Sequence, residues 1–170
     1  MSAAARPVAV LVGPPGSGKS TVGEALARLL GVTLRDTDAD IVAATGQEIS
    51  DIFVDLGEQH FRDLERDVVR RALREHDGVL ALGGGAVLDP DTRARLRGHA
   101  VVFLDVGLAD AARRVGLDTS RPLLLGNVRG RLKALLDERR PLYLEVATLT
   151  VDTSGRGPEE IADEVAKAVR

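Results

Sequence analysis

The sequence predicts a three-layer α/β fold, in which helices cover both faces of a parallel five-stranded sheet. Two observations indicate it: short apolar runs rich in Val and Leu recur along the chain, and segments of helical periodicity fill the intervals between them. An unbroken apolar run is typical of a strand buried on both faces. Strands that alternate with helices pair in parallel, so we expect one doubly wound sheet.

Five segments are predicted as strands, and four of them are apolar runs. The remaining segment, Leu34 to Asp36, is polar at one end and is placed by the alternation of strand and helix. The five predicted strands are Val8 to Val12, Leu34 to Asp36, Val79 to Leu82, Val101 to Leu104 and Leu149 to Val151.

Helices are predicted where apolar residues recur three and four positions apart. This spacing follows Lys19 and again follows Pro158, and a further helix is expected to start near Asp38. The stretch Glu58 to Glu75 combines an apolar stripe with many charges, which indicates a helix with one buried and one solvated face. From Gly116 to Gly130 the periodicity lapses into a loop-like composition.

Length and composition limit the classes of protein that this chain can be. Its 170 residues predict one domain, residues 1–170 with a core over 7–170. The absence of cysteine excludes disulfides, thiolate zinc sites and cysteine nucleophiles. A net charge of -3 and four aromatic residues argue against nucleic-acid binding. With no long apolar run and no signal-like N-terminus, we expect no membrane association and a cytoplasmic protein.

The segment Gly13 to Ser20 reads GPPGSGKS and fits the phosphate-binding pattern G-x-x-x-x-G-K-[S/T]. It follows a predicted strand and opens a predicted helix, which is the context that this motif requires. Glycines allow backbone N–H groups to turn toward phosphates, Lys19 reaches the β- and γ-phosphates, and the Ser20 hydroxyl ligates Mg²⁺. Lysine is scarce here, with three against 20 arginines, yet one stands at this position.

Four further motifs follow the phosphate-binding loop in order along the chain. Predicted strand ends and loops gather at one edge of a doubly wound sheet, so we expect these motifs to meet there. They are Asp36-Thr37-Asp38, Gly83-Gly84-Gly85, Thr119 to Leu124 (TSRPLL) and Arg139 to Tyr143 (RRPLY). Together with the phosphate-binding loop, this ordered set resembles the shikimate kinases, and the similarity covers nearly the whole chain.

The resemblance implies a P-loop kinase fold with strand order 2-3-1-4-5, a mobile lid at about residues 116–128 and substrate-binding helices at about 37–66. It also implies transfer of a phosphoryl group from ATP to the 3-hydroxyl of shikimate, with Mg²⁺ as cofactor, in aromatic amino-acid biosynthesis. The expected partners are small molecules, and the expected state is a monomer. The nucleotide site is expected at Gly16, Ser17, Gly18, Lys19, Ser20, Thr21, Arg121 and Arg156.

For the acceptor, the resemblance implies a carboxylate clamp built from Arg62, Arg139 and the backbone of Gly83, Gly84 and Gly85. A guanidinium grips a planar carboxylate with two parallel bonds, and glycines let a ring lie close to the main chain. From the residues alone, Arg62 would instead pair with Glu58 one helical turn away.

The remaining roles concern three acidic or basic positions near the transferred group and one arginine near adenine. Asp38 corresponds to the residue that contacts the ring hydroxyls and orients the nucleophile, although it is also a candidate N-cap. Asp36 corresponds to a carboxylate near Mg²⁺, direct or through water, and is otherwise an ordinary loop acid. Arg121 corresponds to the catalytic lid arginine. Arg156 is placed against adenine, and a solvated loop arginine is the alternative.

Two alternative functions stay open on the sequence. Another small P-loop kinase, acting on gluconate or a nucleoside monophosphate, would share the phosphate-binding loop and the lid. A nucleotide-dependent switch would keep the loop without the transfer chemistry. The chain also departs from many relatives at Leu82, which stands where they carry Thr before the glycine triplet.

Overall fold

The computed structural model describes residues 6–116 and 128–169, with side chains over 6–114 and 129–169. Its centre is a five-stranded sheet of parallel strands in the order β2-β3-β1-β4-β5, which confirms the predicted fold and strand order. All five predicted strands are present. They are β1 (Ala9–Val12), β2 (Leu34–Asp36), β3 (Val79–Ala81), β4 (Val101–Asp105) and β5 (Leu149–Asp152).

Eight α-helices and one 3-10 turn, Ala86–Leu88, accompany the strands in the described residues. The expected stretch Glu58 to Glu75 is one helix with the predicted bounds. The predicted loop was wrong at its end, because α7 already begins at Val128. The helices are α1 (Lys19–Leu30), α2 (Thr37–Thr45), α3 (Ile49–Leu56), α4 (Glu58–Glu75), α5 (Pro90–Arg95), α6 (Leu108–Gly116), α7 (Val128–Val146) and α8 (Pro158–Val169).

The central strand β1 separates two hydrophobic cores. Its residues alternate between them: Ala9 and Leu11 pack into the core shared with α1 and α8, and Val10 and Val12 pack into the core shared with α4 and α7. Successive side chains of a strand point to opposite faces, and all four are 0–1 % exposed. The sheet is therefore buried on both faces, and the loops that carry the candidate motifs extend from its edge.

A third, smaller cluster lies outside the sheet, where α2, α3 and α4 meet. Ile41, Ile52 and Phe61 are buried there, one from each helix. The ring of Phe53 lies 4.7 Å from that of Phe61. Burying side chains of this size contributes about 2 kcal/mol each, so this cluster fixes the start of α4 relative to α2.

Because all five strands are parallel, their carboxyl ends lie at one edge of the sheet. The phosphate-binding loop follows β1, Asp36 ends β2, and the glycine triplet follows β3. In the part of the chain that the structure describes, no helix is long and apolar enough to cross a membrane.

Candidate active site

The phosphate-binding loop turns directly into α1. Gly18 caps the helix in the left-handed region, at φ 89°, a conformation that side chains rarely adopt. The Lys19 ammonium donates to the carbonyls of Gly13 at 2.7 Å and Pro14 at 3.1 Å, both in its own loop. Ser17 Oγ is buried and has no hydrogen-bond partner among the described residues.

The nucleotide-binding expectation also includes Gly16, which lies in the phosphate-binding loop, and Ser20 and Thr21, which lie at the start of α1. Ser20 and Thr21 are exposed in its first turn, beside backbone N–H groups that the helix leaves without internal partners. This end of the helix carries positive potential and suits phosphate oxygens.

Arg114 is a residue of this site that the sequence analysis missed. It lies on α6 and donates to the carbonyl of Gly16 at 2.8 Å and to that of Thr153 at 3.4 Å. It therefore joins the phosphate-binding loop to the segment after β5. No local motif marks Arg114, because the contact spans 98 residues.

Asp36 at the end of β2 and Asp38 at the start of α2 differ in their part in the helix cap. Asp36, not Asp38, is the N-cap of α2: its carboxylate accepts from the N–H of Asp38 at 2.8 Å and of Ala39 at 3.4 Å. The interpretation of Asp38 as a cap was therefore wrong. The cap aligns α2 so that Asp38 lies in its first turn.

The glycine triplet is held against α2 by a residue that the sequence analysis did not single out. Thr37 is fully buried, and its hydroxyl accepts from the N–H of Gly83 at 3.2 Å. A Cβ on Gly83 would lie 2.6 Å from Asp38 Oδ1 and 2.8 Å from Glu65 Oε2. Two carboxylates therefore flank this glycine, and a Cβ at this position would require both of them to move.

Glu65 is a third residue that the sequence analysis missed. Its side chain is 5 % exposed and pairs with Arg62 at 2.8 Å. Burial raises the pKa of this carboxyl, and the charge of Asp38 adds to the rise, whereas Arg62 and Arg139 act in the opposite direction. The one local signal for Glu65 is its position three residues after Arg62.

Arg62 and Arg139 converge on the glycine triplet from α4 and α7. A Cβ on Gly84 would lie 3.6 Å from Arg139 Nη1, and one on Gly85 would overlap the Arg62 guanidinium, whose Cζ lies 2.7 Å away. The Nε atoms of both arginines are buried and have no hydrogen-bond partner among the described residues.

Arg62 also has the ion pair that the sequence alone favoured, although it is the weaker of two. It lies 3.7 Å from Glu58, which is 61 % exposed, and 2.8 Å from the buried Glu65. Its guanidinium carbon is 5.8 Å from the ring centroid of Phe53 and 5.3 Å from that of Phe61. These contacts hold Arg62 at the glycines.

Three other predicted or unassigned positions are placed as follows. Arg156 donates to the carbonyl of Asp152 at 2.9 Å and forms ion pairs with Glu160 and Glu164 of α8. Arg140, for which the sequence suggested no role, pairs with Asp105 at 2.9 Å. Leu82, the departure before the glycine triplet, is 1 % exposed and packs in the core. Arg121 and the lid segment around it lie outside the described residues.

Comparisons with known proteins agree with this geometry. A family model described as shikimate kinase matches residues 15–170. The shikimate kinase of Thermobifida fusca is 64 % identical over 162 residues, which are 95 % of this chain and 94 % of that protein. The shikimate kinase of Salinispora arenicola is 64 % identical over 160 residues, 94 % of this chain and 96 % of that one.

Solved structures give the same result. The shikimate kinase from Acinetobacter baumannii in complex with shikimate matches with a TM-score of 0.91 at 36 % identity, over 97 % of this chain and 93 % of that one. A gluconokinase from Sinorhizobium meliloti matches with a TM-score of 0.59 at 24 % identity, which shows a shared fold alone. The chain therefore belongs to the shikimate kinase family.

Proposed function

We propose that this chain transfers the γ-phosphoryl group of ATP to the 3-hydroxyl of shikimate, giving shikimate 3-phosphate for aromatic amino-acid biosynthesis. One observation carries the proposal: the guanidinium groups of Arg62 and Arg139 meet at a glycine segment beside the phosphate-binding loop, and the buried Nε of each has no hydrogen-bond partner in the described part of the chain. A buried N–H donor requires an acceptor, and the carboxylate of a ring acid supplies oxygens that a guanidinium binds with two parallel bonds.

The acceptor's carboxylate is bound by Arg62 and Arg139 in this proposal. Their planar donor groups match a carboxylate, and the backbone of the glycine triplet lets the ring lie against the main chain. Glu65 offsets part of the positive charge between the two arginines before the acceptor enters. The clamp therefore selects acceptors that carry a carboxylate.

Asp38 orients the reacting hydroxyl. Its Oδ1 lies next to Gly83, at the floor of the same pocket, and the Asp36 cap fixes the turn that presents it. A carboxylate within hydrogen-bond reach of the hydroxyl directs the oxygen lone pair to the γ-phosphorus and accepts the proton as the bond forms. Positioning of this kind is the main task of the protein in phosphoryl transfer.

Lys19 and the start of α1 bind the β- and γ-phosphates. To reach them, Lys19 must leave the carbonyls of Gly13 and Pro14 and bind the phosphate oxygens instead. Its charge then offsets the negative charge of the transferring group. Arg121, the proposed lid arginine, adds a second positive charge in this interpretation, and Arg156 is proposed beside adenine.

The residues present fit a Mg²⁺ ion that is held mainly by phosphates and water. Ser20 and Asp36 supply hard oxygen donors, and Asp36 commits Oδ1 to the helix cap. Among the described residues, no group of three or more His, Cys, Asp or Glu side chains could hold a metal ion by itself. That agrees with Mg²⁺, which usually binds through one or two carboxylates plus phosphates. When bound, it neutralises charge on the phosphates.

The proposal includes a monomer that works in the cytoplasm, where ATP is available. Light scattering during gel filtration measures the oligomeric state.

An acceptor panel tests the proposed function. ADP release is followed with Mg·ATP and shikimate, gluconate or a nucleoside monophosphate, each at the same concentration. We expect turnover with shikimate and slow ATP hydrolysis without acceptor, because the site excludes water when it closes. Preferred phosphorylation of gluconate or a nucleotide would overturn the proposal, and fast hydrolysis without acceptor would indicate an ATPase.

A further inference from the structure

Tyr143 lies at the back of the proposed acceptor pocket, one helical turn after Arg139 on α7. Its hydroxyl donates to the carbonyl of Gly84 at 2.6 Å, and its ring stacks on Phe103 with centroids 5.0 Å apart. The side chain is 1 % exposed. Phe would fill nearly the same volume, so packing alone does not account for a buried hydroxyl at this position. The hydroxyl instead forms a short hydrogen bond to the glycine triplet.

The phenol oxygen is surrounded by the charged groups of the clamp. Burial raises the pKa of Tyr143 to about 12, while the neighbouring guanidinium groups of Arg139 and Arg62 act in the opposite direction. The phenol therefore stays protonated at neutral pH and donates its hydrogen to Gly84. Its lone pairs remain available to the cation of Arg139.

The bond to Gly84 also determines where the next N–H points. The peptide between Gly84 and Gly85 is trans, so its C=O and N–H groups point in opposite directions. With the carbonyl held by Tyr143, the Gly85 N–H points away from the phenol. It has no backbone acceptor among the described residues. Glycine on both sides offers little resistance to rotation of this peptide, so an external anchor is needed.

We propose that Tyr143 is a positioning residue of the acceptor site, whose hydroxyl fixes the Gly84–Gly85 peptide and, beside it, the Arg139 guanidinium as donors to the acceptor. The inference rests on the proposed function, since Tyr143 contacts the residues that are proposed to bind the acceptor's carboxylate. It predicts that the hydroxyl acts on acceptor binding and leaves the nucleotide end unchanged.

The test is Tyr143→Phe, which keeps the ring on Phe103 and removes the hydroxyl. We expect KM for shikimate to rise on the order of tenfold, as for loss of one buried hydrogen bond near charged groups. The turnover number and KM for ATP should change by less than about threefold. A role in stability alone would lower Tm and leave KM for shikimate unchanged, and that result would overturn the proposal.

Phe103→Leu is the matched control. It removes the stacking partner and keeps the phenol, so we expect a lower Tm with KM for shikimate within about twofold of wild type. A rise in KM equal to that of Tyr143→Phe would assign the effect to ring packing and overturn the role of the hydroxyl.

Selective ¹⁵N labelling of the 18 glycines gives a readout that needs no activity. In Tyr143→Phe the Gly85 amide signal should shift or broaden, because its peptide is no longer held. An unchanged Gly85 signal would overturn the proposal. If the wild-type chain does not phosphorylate shikimate, the proposed function fails, and the Gly85 signal still decides whether the hydroxyl fixes this peptide.

Discussion

The two ends of the proposed active site are built in different ways. The phosphate-binding end is one continuous segment, Gly13 to Ser20, whose shape comes from its own backbone and from the start of α1. The acceptor end is assembled from α2, α4, the glycine triplet and α7, which are far apart in the chain. The first depends on local conformation, and the second depends on helix packing around buried charge.

This difference predicts which property a substitution at each end changes: turnover, binding of the acceptor or stability. Substitutions in the loop remove interactions with the transferring group itself, so they should act on turnover. Substitutions in the acceptor end should act on binding of the acid, and those that disturb buried charge should also act on stability. The following variants test this division.

The largest effect is expected for Lys19→Met, which keeps a long side chain and removes the charge. The turnover number should fall by about 100- to 1000-fold, because a preorganised positive charge at the transferring group is lost. Steady-state assays at saturating shikimate and ATP measure it. A loss confined to KM for ATP would show that Lys19 contributes to ground-state binding alone.

Arg139→Ala should raise KM for shikimate by about 10- to 100-fold, since a charged hydrogen-bonding partner of the carboxylate is removed. KM for ATP should stay within about threefold. The adjacent Arg140, which pairs with Asp105 at the end of β4, provides the control. Arg140→Ala should change both KM values by less than about twofold. Equal loss of affinity for both substrates in Arg139→Ala would contradict the division.

Two variants of Asp36 distinguish its structural role as an N-cap from its proposed role near Mg²⁺. Asp36→Ser keeps an N-cap oxygen and removes the carboxylate, so activity should require several-fold more Mg²⁺ while the free energy of unfolding changes little. Asp36→Ala should lose about 1 kcal/mol in addition, because the cap is lost. Urea unfolding and Mg²⁺ titration of activity measure the two effects. An unchanged Mg²⁺ requirement in Asp36→Ser would leave Asp36 as a cap alone.

The smallest effect concerns the pH dependence of stability through Glu65. Its pKa is raised in the folded state, so its contribution is fully present below the ordinary glutamate pKa and is lost as pH rises through the raised value. Glu65→Gln removes this dependence and keeps an acceptor for Arg62. Urea unfolding of both proteins from pH 4 to pH 7 should show wild type losing stability relative to the variant. Parallel curves would contradict the raised pKa.

Most of the fold could be predicted from the sequence, because strand burial and helical periodicity are local patterns. Leu34 to Asp36 was correctly placed as a strand by alternation, although two of its three residues are charged. The helices α5, α6 and α7 were not predicted individually, and α3 was covered only by the substrate-binding helices expected at about 37–66. The segments α3 and α5 span only about two helical turns, which is too few to show a repeat. The cap was assigned to Asp38 because two aspartates, two positions apart, both suit an N-cap.

The candidate site was predictable where a motif is contiguous and less so where it is not. The meeting of Arg62, Arg139 and the glycine triplet followed from family resemblance, and the structure brings these residues together. Glu65, Thr37, Arg114 and Tyr143 were missed in their present roles, because each acts through a partner distant in sequence or through burial. Neither burial nor a contact across dozens of residues is visible in local spacing.

The two bonds from the Lys19 ammonium to carbonyls of its own loop have a consequence for the catalytic cycle. The loop itself therefore provides hydrogen-bond acceptors for its own cation. Nucleotide affinity is then the difference between two sets of bonds, not the full strength of one. The same carbonyls can accept hydrogen bonds from the ammonium again as the diphosphate product leaves. This favours release of the product over its retention.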